Sequence, residues 1–148
     1  MKYEKIQIEL LKARASGKFD RNCRYIKTED YIVVTNTLTL IFIPKLFWYL
    51  DCDKVFDAPS LIFDVNKILD SLEEDIEDTE TEISYDNGKL HIFKNQAGEN
   101  IYIDVKLLDK FKNDKYDEFT FMGKGKKDPI AIYNQNGIVG VVLPVVKN

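Results

Sequence analysis

The chain has little of what staples, bends or anchors a polypeptide. Its 148 residues hold two cysteines, Cys23 and Cys52, far apart and in no C-x-x-C spacing, which argues against a disulfide framework and against a cysteine zinc site. Reduced, mostly buried thiols are expected. His91 is the one histidine, so a histidine metal cluster is excluded, and a serine or cysteine triad would have to use this residue. Glycine and proline are few, at seven and four, while Tyr, Phe, Ile and Val are frequent, which favours a sheet-rich fold with short connections. No apolar run approaches the ~20 residues of a membrane span. The longest, around Leu40 to Leu50, is interrupted by Pro44 and Lys45, and no charged start precedes an apolar stretch. A cytoplasmic protein without a membrane partner is expected.

What is present is ordinary for a folded domain: 45% apolar and 31% charged residues in a length that suits a single domain over 1–148. The net charge of −4 hides a segregation. Residues 1–27 hold eight Lys or Arg against three acids, residues 64–82 nine acids against Lys67, and residues 106–127 seven lysines against four acids. Basic blocks flank an acidic centre.

The clearest helical pattern starts at Asp64, a fitting N-cap, with Val65, Ile68, Leu69, Leu72 and Ile76 on one face and Asn66, Asp70, Glu73, Glu74 and Glu77 opposite. A second helix is predicted over 104–113, capped by Asp104, burying Val105, Leu108 and Phe111 and turning Lys106, Lys110 and Lys112 outward. The first segment is ambiguous. Ile6, Ile8 and Leu10 alternate as in a strand, whereas Leu10, Leu11, Ala13 and Arg14 suit a helix, and a short strand feeding a helix that Gly17 ends is the favoured reading. Strands are predicted over 24–27, 31–36, 38–43, 47–50, 82–85, 89–94, 101–103, 118–122, 130–133 and 138–143. Asp86-Asn87-Gly88 and Asn134-Gln135-Asn136-Gly137 are hairpin signals.

A weak internal repeat relates these pieces. Residues 62–70 (IFDVNKILD) parallel residues 102–109 (YIDVKLLD) with one residue dropped, each an extended entry, an Asp cap, a helix and a hairpin. Residues 5–13 are a more divergent third copy. The expected fold is α+β: repeated strand-helix-hairpin units forming an antiparallel sheet with helices on one face. The order of pieces resembles the DNA sliding clamp, the processivity subunit of bacterial replicative polymerase. Residues 1–13 resemble that family's first strand and helix, 102–109 its last helix, 118–123 with 128–132 its late hairpin, and 141–145 its terminal strand. The resemblance implies a clamp-like domain whose helices present Lys and Arg to the phosphates of duplex DNA. Lys12, Arg14, Lys18, Arg21 and Arg24 form one such basic group, and Lys106, Lys110 and Lys112 another.

Motifs for catalysis are not found. Asp51-Cys52-Asp53 lacks a third ligand, and Gly123-Lys124-Gly125-Lys126-Lys127 lacks the phosphate-loop spacing and reads as a basic turn. Phe47-Trp48-Tyr49 reads as sheet packing. Gln7-Ile8-Glu9-Leu10-Leu11 resembles the short peptide by which proteins dock on sliding clamps, but in a helix with Leu10 and Leu11 in the core it is expected to be unavailable. The leading expectation is a non-enzymatic, cofactor-free domain associating with DNA or replication proteins, with a homo-oligomer among its assemblies. The alternative is a protein-binding or inhibitory accessory module of a phage or mobile element, acting through its acidic helix and strand edges.

Overall fold

Residues 3–111 and 117–146 are described by the structure, a computed structural model of the chain. The chain divides into two compact units, Met1–Phe63 and Asp64–Asn148. In the first, helix α1 spans Tyr3–Ala15. Tyr3, Ile6, Gln7, Leu10 and Ala13 recur at helical spacing and are its least exposed positions. Gly17 ends it at φ 72°, with Lys18 N–H donating to the Ala13 carbonyl (2.9 Å) and Gly17 N–H to that of Arg14 (3.4 Å), so the last carbonyls find donors. Strands β1 (Arg24–Lys27), β2 (Tyr31–Thr35) and β3 (Thr39–Pro44) follow as an antiparallel meander. Their β-branched and aromatic residues, among them Ile26, Val33, Phe42 and Ile43, are buried. A 3-10 turn over Lys45–Phe47 and helix α2 (Cys52–Val55), capped by the Asp51 carboxylate, lead to an extended return in which Leu61 N–H bonds the Tyr25 carbonyl.

The second unit begins with α3 (Val65–Ser71), capped by Asp64 as its sequence predicts. Six strands follow: β4 (Glu74–Tyr85), β5 (Gly88–Lys94), β6 (Asn100–Asp104), β7 (Thr120–Gly123), β8 (Ile130–Asn134) and β9 (Gly137–Val142). The order is β9-β8-β7-β4-β5-β6, and each of these neighbours pairs antiparallel. Both predicted hairpins are present, β4–β5 at Asp86-Asn87 and β8–β9 at Gln135-Asn136. Three residues beyond β9, Val145 bridges Tyr102 on β6, so within this unit the chain returns to the strand at the far end of the order. Helix α4 (Val105–Leu108), capped by Asp104, follows β6. Ile101, Ile103, Phe111, Ile130, Ile132 and Val139 form the most buried part.

These elements overturn the clamp-like plan of repeated strand-helix-hairpin units with helices on one face. Nine antiparallel strands account for 40% and helices for 22% of the described residues, and two of the four α-helices have only four residues each. The first segment is helical from Tyr3 onward, with no strand among its described residues. The predicted acidic helix stops at Ser71, whose hydroxyl donates to the Ile68 carbonyl (2.7 Å) in place of a continuing backbone N–H. Beyond it the β-branched run Ile76, Thr79, Thr81 and Ile83 is extended, and Ile76 is buried opposite Phe121 on β7. The predicted helix over 104–113 is confined to one turn, and its last two residues lie outside the described ones. Of the strand predicted over 47–50, Phe47 ends the 3-10 turn and Trp48 to Leu50 are irregular chain. Among the described residues no helix is long and apolar enough to cross a membrane.

Candidate functional site

Gln7 is the one fully buried residue of α1, at 0% exposure. An amide in that position needs partners. Its Nε2 donates to the carbonyls of Phe47 (2.9 Å) and Tyr3 (3.2 Å), and its Oε1 accepts from Tyr49 N–H (3.0 Å). A single side chain thus ties the chain following β3 to the helix. Tyr3 and Phe47 stack above it with ring centroids 5.5 Å apart and planes 15° from parallel.

The consequence is a groove of about 710 Å³ between α1 and residues 46–49, walled by Tyr3, Ile8, Leu46, Phe47 and Tyr49 and edged by Glu4, Lys5, Glu9 and Lys12. Leu46 is 87% exposed, Tyr49 58% and Phe47 52%, and Ile8 and Leu11 on α1 are exposed as well. Leu11 was expected in the core. The buried centre of the helix is a polar residue, which leaves its apolar neighbours on the solvent side. The aromatic run 47–49 was visible in the sequence, but only the placement of Gln7 shows that Phe47 and Tyr49 face outward.

The basic residues expected to meet DNA separate into two kinds. Lys12 edges the groove, and Lys18 and Arg21 are exposed on the connection to β1. Arg14 is engaged by its own chain: its guanidinium bonds the Asp57 carboxylate and sits 4.9 Å over the Phe19 ring. Arg24 donates to the Pro59 carbonyl (3.4 Å), and its Nε is buried without a partner. Both arginines hold the extended return over 56–63 in place. In the second unit Lys106 is exposed on α4 and Lys110 just beyond it, and Lys112 lies outside the described residues.

A second cleft of about 350 Å³ in the first unit is lined by Tyr25, Lys27, Lys45, Trp48 and Cys52 among others. Burial pushes the Cys52 thiol up, and the Trp48 indole and Lys27 ammonium offset only part of this. The thiol form therefore prevails at neutral pH, which does not suit a nucleophile. The indole Nε1 is itself buried and meets no acceptor in hydrogen-bonding geometry. Burial also raises the Tyr25 phenol, with Cys52 and Asp53 adding to the effect.

His91, on β5, is buried and held between two carboxylates of β4. Its Nε2 lies 2.5 Å from Asp78 Oδ1 and its Nδ1 3.4 Å from Glu82 Oε2. Glu82 is its cross-strand partner, while Asp78 is brought in by a bulge between Asp78 and Thr81. Within the bulge Glu80 stands at φ 56° and donates its N–H to Asp78 Oδ1 (2.8 Å), and the Thr79 hydroxyl donates to the Ile92 carbonyl (2.5 Å). Among the described residues no group of three His, Cys, Asp or Glu is placed to hold a metal ion. Compared with known proteins, the chain matches no family model, no curated protein and no solved structure.

Proposed function

We propose that the chain is a protein-binding module that acts without catalysis and docks its partner in the groove between α1 and residues 46–49. The observation that carries this reading is the exposure of Leu46, Phe47 and Tyr49 beside Ile8, on chain held firmly by Gln7. Single exposed apolar residues are common and mean little, but a contiguous set lining one groove is the usual mark of an interaction surface. Full burial of each Leu or Phe side chain is worth roughly 1.5–3 kcal/mol, so a partner covering this set gains most of a useful affinity from it. Of the expected partners, another protein suits the groove. Duplex DNA does not, because phosphate asks for an unbroken basic surface and the groove edge alternates Glu4, Lys5, Glu9 and Lys12.

The test is a photocrosslinking amino acid placed at Leu46, with a second chain carrying it at Lys89 on β5 as control. Protein adducts are expected from the first position and not from the second, and Ile8→Asp should remove them. No adducts at position 46, or adducts indifferent to Ile8→Asp, would overturn the reading.

A further inference from the structure

The solvent side of α1 carries a row at i, i+4 and i+8: Glu4, Ile8 and Lys12, each exposed. Residues four apart form a ridge on a helix surface, and at 1.5 Å rise per residue Glu4 and Lys12 stand about 6 Å to either side of Ile8 along the axis. A row that reads acid, apolar, base is its own complement when reversed. A two-fold axis through Ile8 sets each Glu4 against the other helix's Lys12 and brings the two Ile8 side chains together. Packing of i±4n ridges, at about −50° between axes, runs the two rows alongside one another. Among the described residues neither Glu4 nor Lys12 makes an ion pair within the chain. Leu11 follows Ile8 by one turn, and Leu46 and Phe47 wall the same groove as Ile8, so apolar surface surrounds the crossing point.

We infer that the partner of this groove is a second copy of the chain, joined by an isologous antiparallel contact of α1 with α1 in which Glu4 of each copy meets the partner's Lys12. The inference rests on the docking reading and names its occupant. A closed two-fold contact needs one patch to be self-complementary, and the Glu4, Ile8, Lys12 row meets that condition. The contact is small, because a 13-residue helix is only about 20 Å long, so the dimer belongs to the weak class, with a dissociation constant on the order of 100 μM.

Sedimentation equilibrium of the full chain at low salt tests it. The wild type should dimerise, and Glu4→Lys and Lys12→Glu should each raise the dissociation constant about tenfold, since each sets like charges together twice per dimer. The double variant Glu4→Lys/Lys12→Glu should recover the wild-type value, and an equimolar mixture of the two single variants should form a heterodimer in preference to either homodimer. A wild type that stays monomeric to about 1 mM, or single variants that dimerise as well as the wild type, or a double variant that fails to recover, would overturn the second-copy assignment. The crosslink at position 46 separates this failure from failure of the docking reading. An adduct of twice the chain mass supports both, whereas an Ile8-dependent adduct of another mass keeps the groove and removes the second copy.

Discussion

Two charged surfaces of this molecule are built to different ends. The outer side of α1 carries both signs, Glu4, Lys5, Glu9 and Lys12, around exposed Ile8 and Leu11. Strand β4 carries six acids and no base, and past Ile76 it pairs, among the described residues, with β5 alone. A single-signed strand with an open edge and a bulge is a recognised defence against unwanted strand pairing. Asp78 and Glu82 are moreover turned toward His91, which spends two of the six acids on internal contacts. Charge density alone therefore does not mark a partner surface. What distinguishes α1 is apolar surface at the centre of charges whose pattern has a complement.

If α1 is the functional face, its supports should be the least replaceable polar contacts in the molecule. Gln7→Leu should destabilise by about 2–3 kcal/mol in urea unfolding, because the Phe47 carbonyl and Tyr49 N–H lose their partners while the added apolar surface recovers only part of the loss. The same variant should lose crosslinking from position 46, since the groove wall is no longer held. His91→Leu should cost less, about 1–2 kcal/mol, because Asp78 and Glu82 keep access to water when the imidazole is gone. A larger cost for His91→Leu than for Gln7→Leu would reverse the comparison and make the acidic strand the more strictly constructed of the two surfaces.

The sequence was most readable where local chemistry decides the outcome. Asp64 and Asp104 cap helices as their side chains suggest, Gly17 ends α1, and both hairpins turn at their Asn- and Gly-bearing segments. It was least readable where a face is defined by a residue of the wrong polarity. In α1 the centre of the packed side is Gln7, so Ile6, Ile8 and Leu10 read as an alternating strand although only Ile6 and Leu10 turn inward. In the stretch after Ser71, Ile76 falls at a helical distance from Val65 by coincidence. The spacing that matters is period two, with Leu72 and Ile76 buried and Glu74 half-buried between them. The groove was illegible for a different reason. Leu46 and Phe47 share a groove with Ile8 across some 40 residues of intervening chain, held there by the hydrogen bonds of Gln7 and the stacking of Phe47 on Tyr3.

The smallest effect expected concerns the bulge itself. Glu80 holds φ 56°, a left-handed conformation that costs an L-residue roughly 1–2 kcal/mol, whereas glycine avoids that cost but loses about 0.5–1 kcal/mol more chain entropy on folding. Glu80→Gly should therefore stabilise the protein by about 0.5–1 kcal/mol, read as a higher urea midpoint at unchanged slope. Dimerisation and crosslinking from position 46 should not move, because Glu80 is not among the residues that line the groove. A loss of stability would mean that the Glu80 side chain contributes more than its strain costs. The acidic strand would then hold a contact as specific as any on α1, and the distinction between a guarded edge and a docking face would have to be redrawn.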